Sequence, residues 1–157
     1  MVRFSIIIPN YNGTLYLGPC IDSIHAQDCQ DYEIILVDNA SHDESVLFIK
    51  NSYPDVILVL NIRNRGYAGG CNDGVRIASG EFFLFLNTDT VLEKEFLTKM
   101  NDAIDRYPQY GMYAPKMVYP DGRINSTGIC ISLSGAAWDR GMGEEDNGQY
   151  DVSEEIL

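Results

Sequence analysis

Four short, nearly continuous apolar runs constrain the fold of this chain more than any other feature of its sequence. They occupy residues 4–8, 33–37, 56–60 and 82–86. Strands of a parallel sheet are covered on both faces, so their sequences are apolar throughout and do not alternate between apolar and polar residues. The runs therefore predict four buried parallel strands.

Helical segments are expected between these strands. Apolar residues recur at helical spacing over residues 17–24 and 96–104, and residues 42–52 and 69–78 predict two further helices. The resulting order is β-α-β-α-β-α-β-α, which implies right-handed crossovers. The fold class predicted is α/β, with a mostly parallel, Rossmann-like sheet flanked by helices in a single domain.

The last third of the chain is less regular. Residues 112–118 and 129–133 predict two more strands, with a turn at residues 120–122. Residues 139–157 contain seven acidic residues and one arginine, a composition typical of a solvated or disordered segment. We therefore expect a domain over residues 1–138, followed by an acidic, glycine-rich tail over residues 139–157.

Charge and cysteine content exclude several classes of protein. The net charge is −12, whereas a nucleic-acid-binding protein presents a basic surface. The four cysteines form no Cys-x-x-Cys pair, so neither a zinc site nor a disulfide framework is expected. No apolar run is as long as a transmembrane segment, and the N-terminal run is too short for a signal peptide. These features predict a cytoplasmic protein.

Polar residues follow each predicted strand at the point where it ends. Because the carboxyl ends of parallel strands open on one edge of the sheet, these residues predict a site for a polar ligand with several hydrogen-bonding groups. The alternative is that they are ordinary solvated loop residues. The candidates at the four strand ends are Pro9, Asn10, Tyr11 and Asn12, then Asp38 and Asn39, then Asn64, and finally Asn87 and Asp89.

Two of the candidates are carboxylates, and each has two interpretations. Asp38 can accept a hydrogen bond from the imide N–H of uracil or thymine or from a ribose hydroxyl. The alternative is that Asp38 or Ser41 caps the next helix, and the two roles are compatible if Ser41 caps and Asp38 binds. Asp89 suits Mg²⁺ or Mn²⁺, which need few protein oxygens when a diphosphate and waters complete the shell. The alternative for Asp89 is the N-cap of the helix near Glu93.

A glycine-rich loop at residues 66–74 (GYAGGCNDG) opens the third helix. Glycines permit close approach of the backbone, and a helix N-terminus favours phosphate. The loop lacks the Gly-Lys-Ser/Thr of a Walker sequence, and it follows the third strand where a dinucleotide fingerprint would follow the first. It is a weak indication of a phosphate site.

Four segments together resemble the family 2 glycosyltransferases, especially their rhamnosyltransferase-like branch. They are residues 5–12 (SIIIPNYN), 37–41 (VDNAS), 64–74 (NRGYAGGCNDG) and 85–90 (FLNTDT). The segments occur in the order that the family shows, and the resemblance covers about residues 3–133.

The resemblance implies a GT-A fold that binds a UDP- or dTDP-sugar. Pro9, Tyr11 and Asp38 would hold the base and ribose, and Asn64 and the loop through Gly69 to Asn72 would approach the nucleotide or the donor sugar. The remaining residues of the implied nucleotide-sugar site are Asn10, Asn12, Asn39, Asn87 and Asp89.

The implied reaction is sugar transfer with inversion, by direct displacement. Residues 87–89 take the place of the family's Asp-x-Asp motif, with Asp89 on a divalent metal, Mg²⁺ or Mn²⁺. The implied acceptor is a glycan or a lipid-linked glycan, and the latter would bring the protein to the inner membrane face as a peripheral protein.

The sequence departs from the family pattern in two places. Asn87 replaces the leading Asp of the motif, as is frequent in the resembled branch, so a single carboxylate is left for the metal. The family's general base, an Asp or Glu of the second half, has no counterpart here, and no catalytic residue is assigned. We therefore expect a chain truncated after the nucleotide-binding half, whose uncovered apolar face can drive homo-oligomerisation.

Two alternatives remain at this point. The chain can be a non-catalytic nucleotide-sugar-binding module or subunit whose chemistry lies in a partner chain. It can also be an unrelated doubly wound α/β protein with a phosphate site and no sugar chemistry.

Overall fold

A computed structural model of the protein describes residues 2–154. Strands and helices alternate through the first two thirds of the chain, as the sequence predicts, and short strands follow. In chain order they are β1 (Phe4–Asn10), α1 (Thr14–His25), β2 (Tyr32–Asp38), α2 (Ser45–Ser52), β3 (Ile57–Leu60), α3 (Gly66–Val75), β4 (Phe82–Phe85), α4 (Phe96–Arg106), β5 (Met117–Val118), β6 (Ile124–Ser126), β7 (Ile129–Ile131) and β8 (Ala137–Asp139).

Strands β1 to β4 form a parallel sheet in the order β3-β2-β1-β4. The chain runs outward from β1 to β3 and then crosses to the other side of β1 to add β4. The strand order therefore reverses between β1 and β4, where the loops that follow these two strands diverge and leave a crevice. The predicted class, a mostly parallel α/β sheet flanked by helices, is confirmed.

The apolar runs of the sequence form the core of this sheet. Ile7, Ile35 and Val37 are fully buried on one face, and Val59 of β3 and Val75 of α3 pack against them. Helix α3 can lie close to this face because Gly74 has no side chain. A Cβ at Gly74 would lie 2.4 Å from Cγ2 of Ile7 and 3.3 Å from Cγ2 of Val37.

One carboxylate caps two helices. The residue before α1 is Gly13, which has no side chain to offer, and Asp43 takes its place by accepting hydrogen bonds from N (3.1 Å) and Oγ1 (2.7 Å) of Thr14. The other oxygen of Asp43 accepts from N (3.1 Å) and Oγ (2.5 Å) of Ser45, the first residue of α2. Asp43 thereby joins the N-termini of the two helices that follow β1 and β2.

The chain separates into two compact units, Met1–Ala103 and Ile104–Leu157. The parallel sheet belongs to the first unit. In the second, β5 pairs with β6 and β7 with β8, each pair antiparallel. The predicted domain boundary at residue 138 falls inside β8, within the second unit.

The acidic stretch after residue 138 is hydrogen-bonded within the second unit. Lys116 binds Asp146 and Asp151 at 2.7 and 2.6 Å, and the N–H of Ile124 donates to the carbonyl of Glu144 at 2.9 Å. Residues 155–157 of the predicted tail lie outside the described residues.

The strands predicted after residue 108 are too long. Of residues 112–118 only Met117 and Val118 form a strand, because Pro115 has no N–H to give to a ladder. The strand predicted at residues 129–133 ends at Ile131, where the N–H of Gly135 donates to the carbonyl of Ser132 in a turn. β6 and β8 are three residues each and were not predicted.

Across residues 2–154, no helix has the length and apolar character that crossing a membrane requires.

Candidate functional site

An open cleft of about 310 Å³ lies at the carboxyl ends of β1 and β4, where the strand order reverses. This is the position at which parallel α/β sheets bind their ligands. The residues that line the cleft are Pro9, Tyr11, Asn12, Gly13, Tyr16, Asn87, Thr88 and Asp89.

Five of the eleven predicted site residues line this cleft. They are Pro9, Tyr11 and Asn12 from the loop after β1, and Asn87 and Asp89 from the loop after β4. The structure therefore brings together two segments that are more than seventy residues apart in the sequence, as expected for adjacent parallel strands.

The loop after β1 is held in a constrained conformation by the loop after β2. Asn12 has a positive φ of 56° and Ala40 one of 63°, a region that non-glycine residues occupy at a cost. The N–H of Asn12 donates to Oγ of Ser41 at 2.9 Å, and its Oδ1 accepts from N of His42 at 2.8 Å. These bonds fix the backbone that presents Tyr11 and Asn12 to the cleft.

Asn10 and Asp38 lie beneath the cleft lining. They are 1% and 3% exposed, and Nδ2 of Asn10 donates to Oδ1 of Asp38 at 2.9 Å and to Oγ of Ser45 at 3.0 Å. The other carboxylate oxygen of Asp38 accepts from N of Ser41 at 3.0 Å. Helix α2 begins only at Ser45 and is capped by Asp43, so the alternative that Asp38 or Ser41 caps this helix does not hold.

Asn39 joins the loop after β3 to the end of β2. Its Oδ1 accepts from Nδ2 of Asn61 at 3.0 Å, and its Nδ2 donates to the carbonyl of Gly66 at 3.2 Å. A Cβ at Gly70 would lie 3.0 Å from both Nδ2 of Asn39 and Cβ of Pro9. Helix α3 therefore packs closely behind the part of the cleft that Pro9 forms.

The other residues predicted on the glycine-rich segment lie outside the cleft lining. Oδ1 of Asn64 accepts from N of Gly66 at 2.8 Å, at the start of α3. Gly69 is half-buried against the side chain of Arg65, and Asn72 is exposed. The helix begins at Gly66, three residues before the predicted start at residue 69.

Asp89 is exposed in the cleft beside Asn87 and Thr88. Its alternative role as a helix cap does not hold, since α4 begins only at Phe96. The thiol of Cys20 is buried near this loop, and its Sγ lies 3.7 Å from the carbonyl oxygen of Asn87. Burial first, and Asp89 second, raise the pKa of Cys20 to about 12, so this thiol is neutral and is no thiolate ligand.

The donor set of the cleft fits a hard divalent cation held jointly with a diphosphate. Over residues 2–154 no group of three or more His, Cys, Asp and Glu side chains comes together, so the protein alone offers no complete metal cage. Mg²⁺ and Mn²⁺ are held by one or two carboxylates together with phosphate oxygens and water. Asp89, with the side-chain oxygens of Asn87 and Thr88 next to it, satisfies this requirement.

Three cleft residues were not among the predicted site residues. Thr88 lies within the predicted motif, between Asn87 and Asp89. Gly13 and Tyr16 stand at the start of α1, and a glycine directly before a predicted helix was the one available sign that the backbone approaches the cleft there.

Comparison with known proteins identifies the family. A sequence model described as glycosyl transferase family 2 matches residues 5–129 of the chain. The chain belongs to this family. It is 34% identical over 129 residues to a PGL/p-HBAD biosynthesis glycosyltransferase of Mycobacterium tuberculosis, covering 79% of this chain and 48% of that protein. A poly(ribitol-phosphate) beta-glucosyltransferase of Bacillus spizizenii is 36% identical over 104 residues, which are 62% of this chain and 16% of the relative.

Solved structures show the same fold. Staphylococcus aureus TarS 1–349 in complex with UDP superposes with a TM-score of 0.61 at 22% identity, over 74% of this chain and 41% of that one. A Pyrobaculum calidifontis mannosyltransferase in complex with GDP-Man and Mn²⁺ gives a TM-score of 0.61 at 22% identity, over 87% of this chain and 44% of that one. These likenesses confirm the predicted GT-A fold class.

This family 2 chain spans about half or less of the length of these relatives. Membership of the family overturns the alternative of an unrelated α/β protein without sugar chemistry. The rhamnosyltransferase-like branch and the metal site stay predictions.

Proposed function

We propose that this chain forms the donor-binding half of an inverting glycosyltransferase that takes a sugar from a UDP- or dTDP-sugar and transfers it to a glycan or lipid-linked acceptor. The observation that carries the proposal is the cleft between β1 and β4. It places two exposed tyrosines, two asparagines and one carboxylate on one edge of the sheet.

The two tyrosines of the cleft suit a nucleobase. Tyr11 and Tyr16 are 49% and 55% exposed, so their rings offer free faces on which a base can stack. Asp38 is buried and is linked through Ser41 to the loop that carries Tyr11, with both carboxylate oxygens already bonded from within the protein. Its negative charge favours a ligand that presents N–H or O–H groups, as uracil, thymine and ribose do.

The loop after β4 suits a diphosphate. Asn87 and Thr88 offer polar side chains, and Asp89 supplies the carboxylate that would hold Mg²⁺ or Mn²⁺. When bound, such a metal would neutralise charge on the leaving diphosphate. In a chain of net charge −12, that neutralisation also offsets the repulsion between the protein and an anionic nucleotide.

The relatives support the nucleotide-sugar part of the proposal. TarS has been crystallised with UDP and with UDP-GlcNAc, and the Pyrobaculum mannosyltransferase with GDP-Man and Mn²⁺. Direct displacement with inversion needs a base to take the proton of the acceptor hydroxyl. No residue of this chain is assigned that role, so the proposal for this half is donor binding.

Calorimetric titration of UDP, dTDP and GDP into the chain, with and without Mn²⁺, tests the proposal. We expect UDP or dTDP to bind more tightly with Mn²⁺. Binding of GDP alone would contradict the base assignment. A folded chain that binds none of the three, together with a longer version of the protein that also binds none, would refute the function.

The alternative, a non-catalytic nucleotide-sugar-binding module, makes the same binding prediction and differs only in turnover. To distinguish the transferase from the module, the longer protein is incubated with a nucleotide sugar that it binds and with candidate glycan acceptors. Release of UDP or dTDP with formation of a glycosylated product supports the transferase, and tight binding with no release in any condition supports the module.

A further inference from the structure

Asn10 is a buried amide with one end fully engaged and the other end unsatisfied. Its Nδ2 lies 2.9 Å from Oδ1 of Asp38, 3.0 Å from Oγ of Ser45 and 3.2 Å from Oγ of Ser41. Its Oδ1 is buried and has no hydrogen-bond partner among the described residues. Buried polar atoms without partners are rare in folded proteins and indicate a constraint that outweighs their cost.

The constraint is the charge of Asp38. If the amide of Asn10 were turned over, its carbonyl oxygen would face the carboxylate oxygen of Asp38, and two acceptors would be in contact. The amide is therefore held with Nδ2 toward β2 and α2. Its Oδ1 is left facing Gly13, where a Cβ would lie only 2.4 Å away.

The groups that Asn10 holds are the ones that position the loop carrying Tyr11 and Asn12. Asp38 accepts from Asn10 with one oxygen and from N of Ser41 with the other. Oγ of Ser41 accepts from Asn10 and also from the N–H of Asn12, which lines the cleft. One buried amide thus sets the direction of the Asp38 carboxylate and the position of the loop that carries Tyr11 and Asn12.

We propose that Asn10 is a positioning residue for the nucleoside end of the donor and makes no contact with the donor itself. This inference rests on the proposed function. The geometry assigns Asn10 a role different from the direct nucleotide-sugar contact expected from the sequence, because the side chain is 1% exposed beneath the cleft lining. Residues 87–89 make no hydrogen bond to Asn10 in the described structure. Thr88 approaches Asn10 only through Gly13, where a Cβ would lie 3.5 Å from Oγ1 of Thr88. We therefore expect the loss of Asn10 to act mainly on base and ribose.

The test compares Asn10→Ala with Asn101→Ala. Asn101 is a matched control, since its Oδ1 is also buried without a partner in the described structure, but it lies on α4 and donates to Sγ of Cys29. Dissociation constants are measured by calorimetry for three probes: the nucleoside diphosphate that the unaltered chain binds, its nucleoside alone, and pyrophosphate with Mn²⁺.

We expect Asn10→Ala to weaken binding of the nucleoside diphosphate and of the nucleoside at least tenfold, and to change binding of Mn²⁺–pyrophosphate by less than twofold. Asn101→Ala should leave all three constants unchanged. A merely structural role would lower the melting temperature of Asn10→Ala while its folded fraction bound every probe as before, and that result would overturn the inference.

Three further outcomes have distinct meanings. If Asn10→Ala does not fold, Ser41→Ala carries the test, because it removes the hydroxyl through which Asn10 reaches Asn12 and leaves the core intact; unchanged nucleoside binding in that variant would overturn the inference. If neither the unaltered chain nor the longer version of the protein binds a nucleotide, the proposed function and this inference fall together. If it binds and Asn10→Ala binds equally well, only the inference falls.

Discussion

A Cβ atom on Gly13 would lie 2.4 Å from Oδ1 of Asn10, and Asn10 cannot move aside because its Nδ2 is bonded to Asp38. The backbone of Gly13 has φ −101° and ψ 16°, a conformation that alanine adopts without strain. The requirement for glycine at this position is therefore one of space. The close approach of Gly13 to Asn10 joins the buried amide beneath the cleft to the residue that precedes α1.

Gly13→Ala is expected to destabilise the fold by about 1–3 kcal/mol, as overpacking of a well-packed site does, and to weaken nucleotide binding about tenfold by displacing the cleft wall. Chemical unfolding and calorimetric titration measure the two effects. Gly18→Ala, in α1 itself, is the control. Its Cβ would meet Cζ of Phe48 at an ordinary 3.6 Å, and the helical gain of alanine is offset by the proline that follows at position 19, so its stability should change by less than about 1 kcal/mol. Equal stability of the two variants would contradict the steric explanation.

The double cap by Asp43 predicts a specific dependence of stability on pH. Burial opposes the charge of Asp43, but hydrogen bonds from Ser45 and Thr14 outweigh it and lower its pKa from 3.8 to about 2. A depressed folded-state pKa stabilises the protein above the ordinary value, and the stabilisation is lost as the pH falls from about 4 through 2.

Asp43→Asn keeps one acceptor oxygen and loses the other, so one helix N-terminus is left uncapped. We expect a loss of about 1 kcal/mol in the free energy of unfolding at pH 7. The difference in unfolding free energy between the variant and the unaltered chain should become smaller between pH 4 and pH 2. Urea unfolding of both proteins at several pH values measures these free energies. Glu44→Gln, which removes the neighbouring charge and no cap, should show no such narrowing. A difference that stays constant down to pH 2 would exclude the capping role.

The sequence predicted the sheet because its signal is local. Each apolar run is self-contained, and the four runs became β1 to β4 with small changes at their ends. The sequence missed that β1 continues through Pro9 to Asn10. These polar residues look like loop residues, and only the pairing of Asn10 with Asp38 across the sheet shows that they belong to a strand.

Because the strand register was unknown, the sequence also could not tell which of the site residues line the cleft. Without the strand register, Asn10, Asp38 and Tyr11 all stood at strand ends and were indistinguishable. The structure separates them by depth, with Asn10 and Asp38 beneath the cleft and Tyr11 on its surface. Tyr16 was not found because its place in the cleft depends on where α1 begins, and that point is set by the remote carboxylate of Asp43.

Asp89 is the residue on which metal dependence should rest. We expect Asp89→Asn to abolish the gain in nucleotide affinity that Mn²⁺ gives the unaltered chain. Affinity without metal should stay the same or rise slightly, because one negative charge no longer repels the diphosphate. Calorimetry with and without Mn²⁺ gives both quantities. Glu81→Gln is the control, since Glu81 lies at the opposite end of β4 and its loss should not affect the metal. A variant that keeps the full Mn²⁺ effect would place the metal elsewhere.

Tyr11 should contribute through its ring and not through its hydroxyl. The side chain is 49% exposed at the cleft, and stacking of a base on an aromatic side chain contributes about 1–3 kcal/mol. Tyr11→Ala is therefore expected to raise the dissociation constant of the nucleoside diphosphate roughly 5- to 150-fold, whereas Tyr11→Phe should bind nearly as the unaltered chain does. Calorimetric titration with the nucleoside alone separates base from phosphate contacts. If Tyr11→Ala weakens the diphosphate but leaves the nucleoside unaffected, the ring does not face the base, and the base end of the cleft is then the side formed by Tyr16.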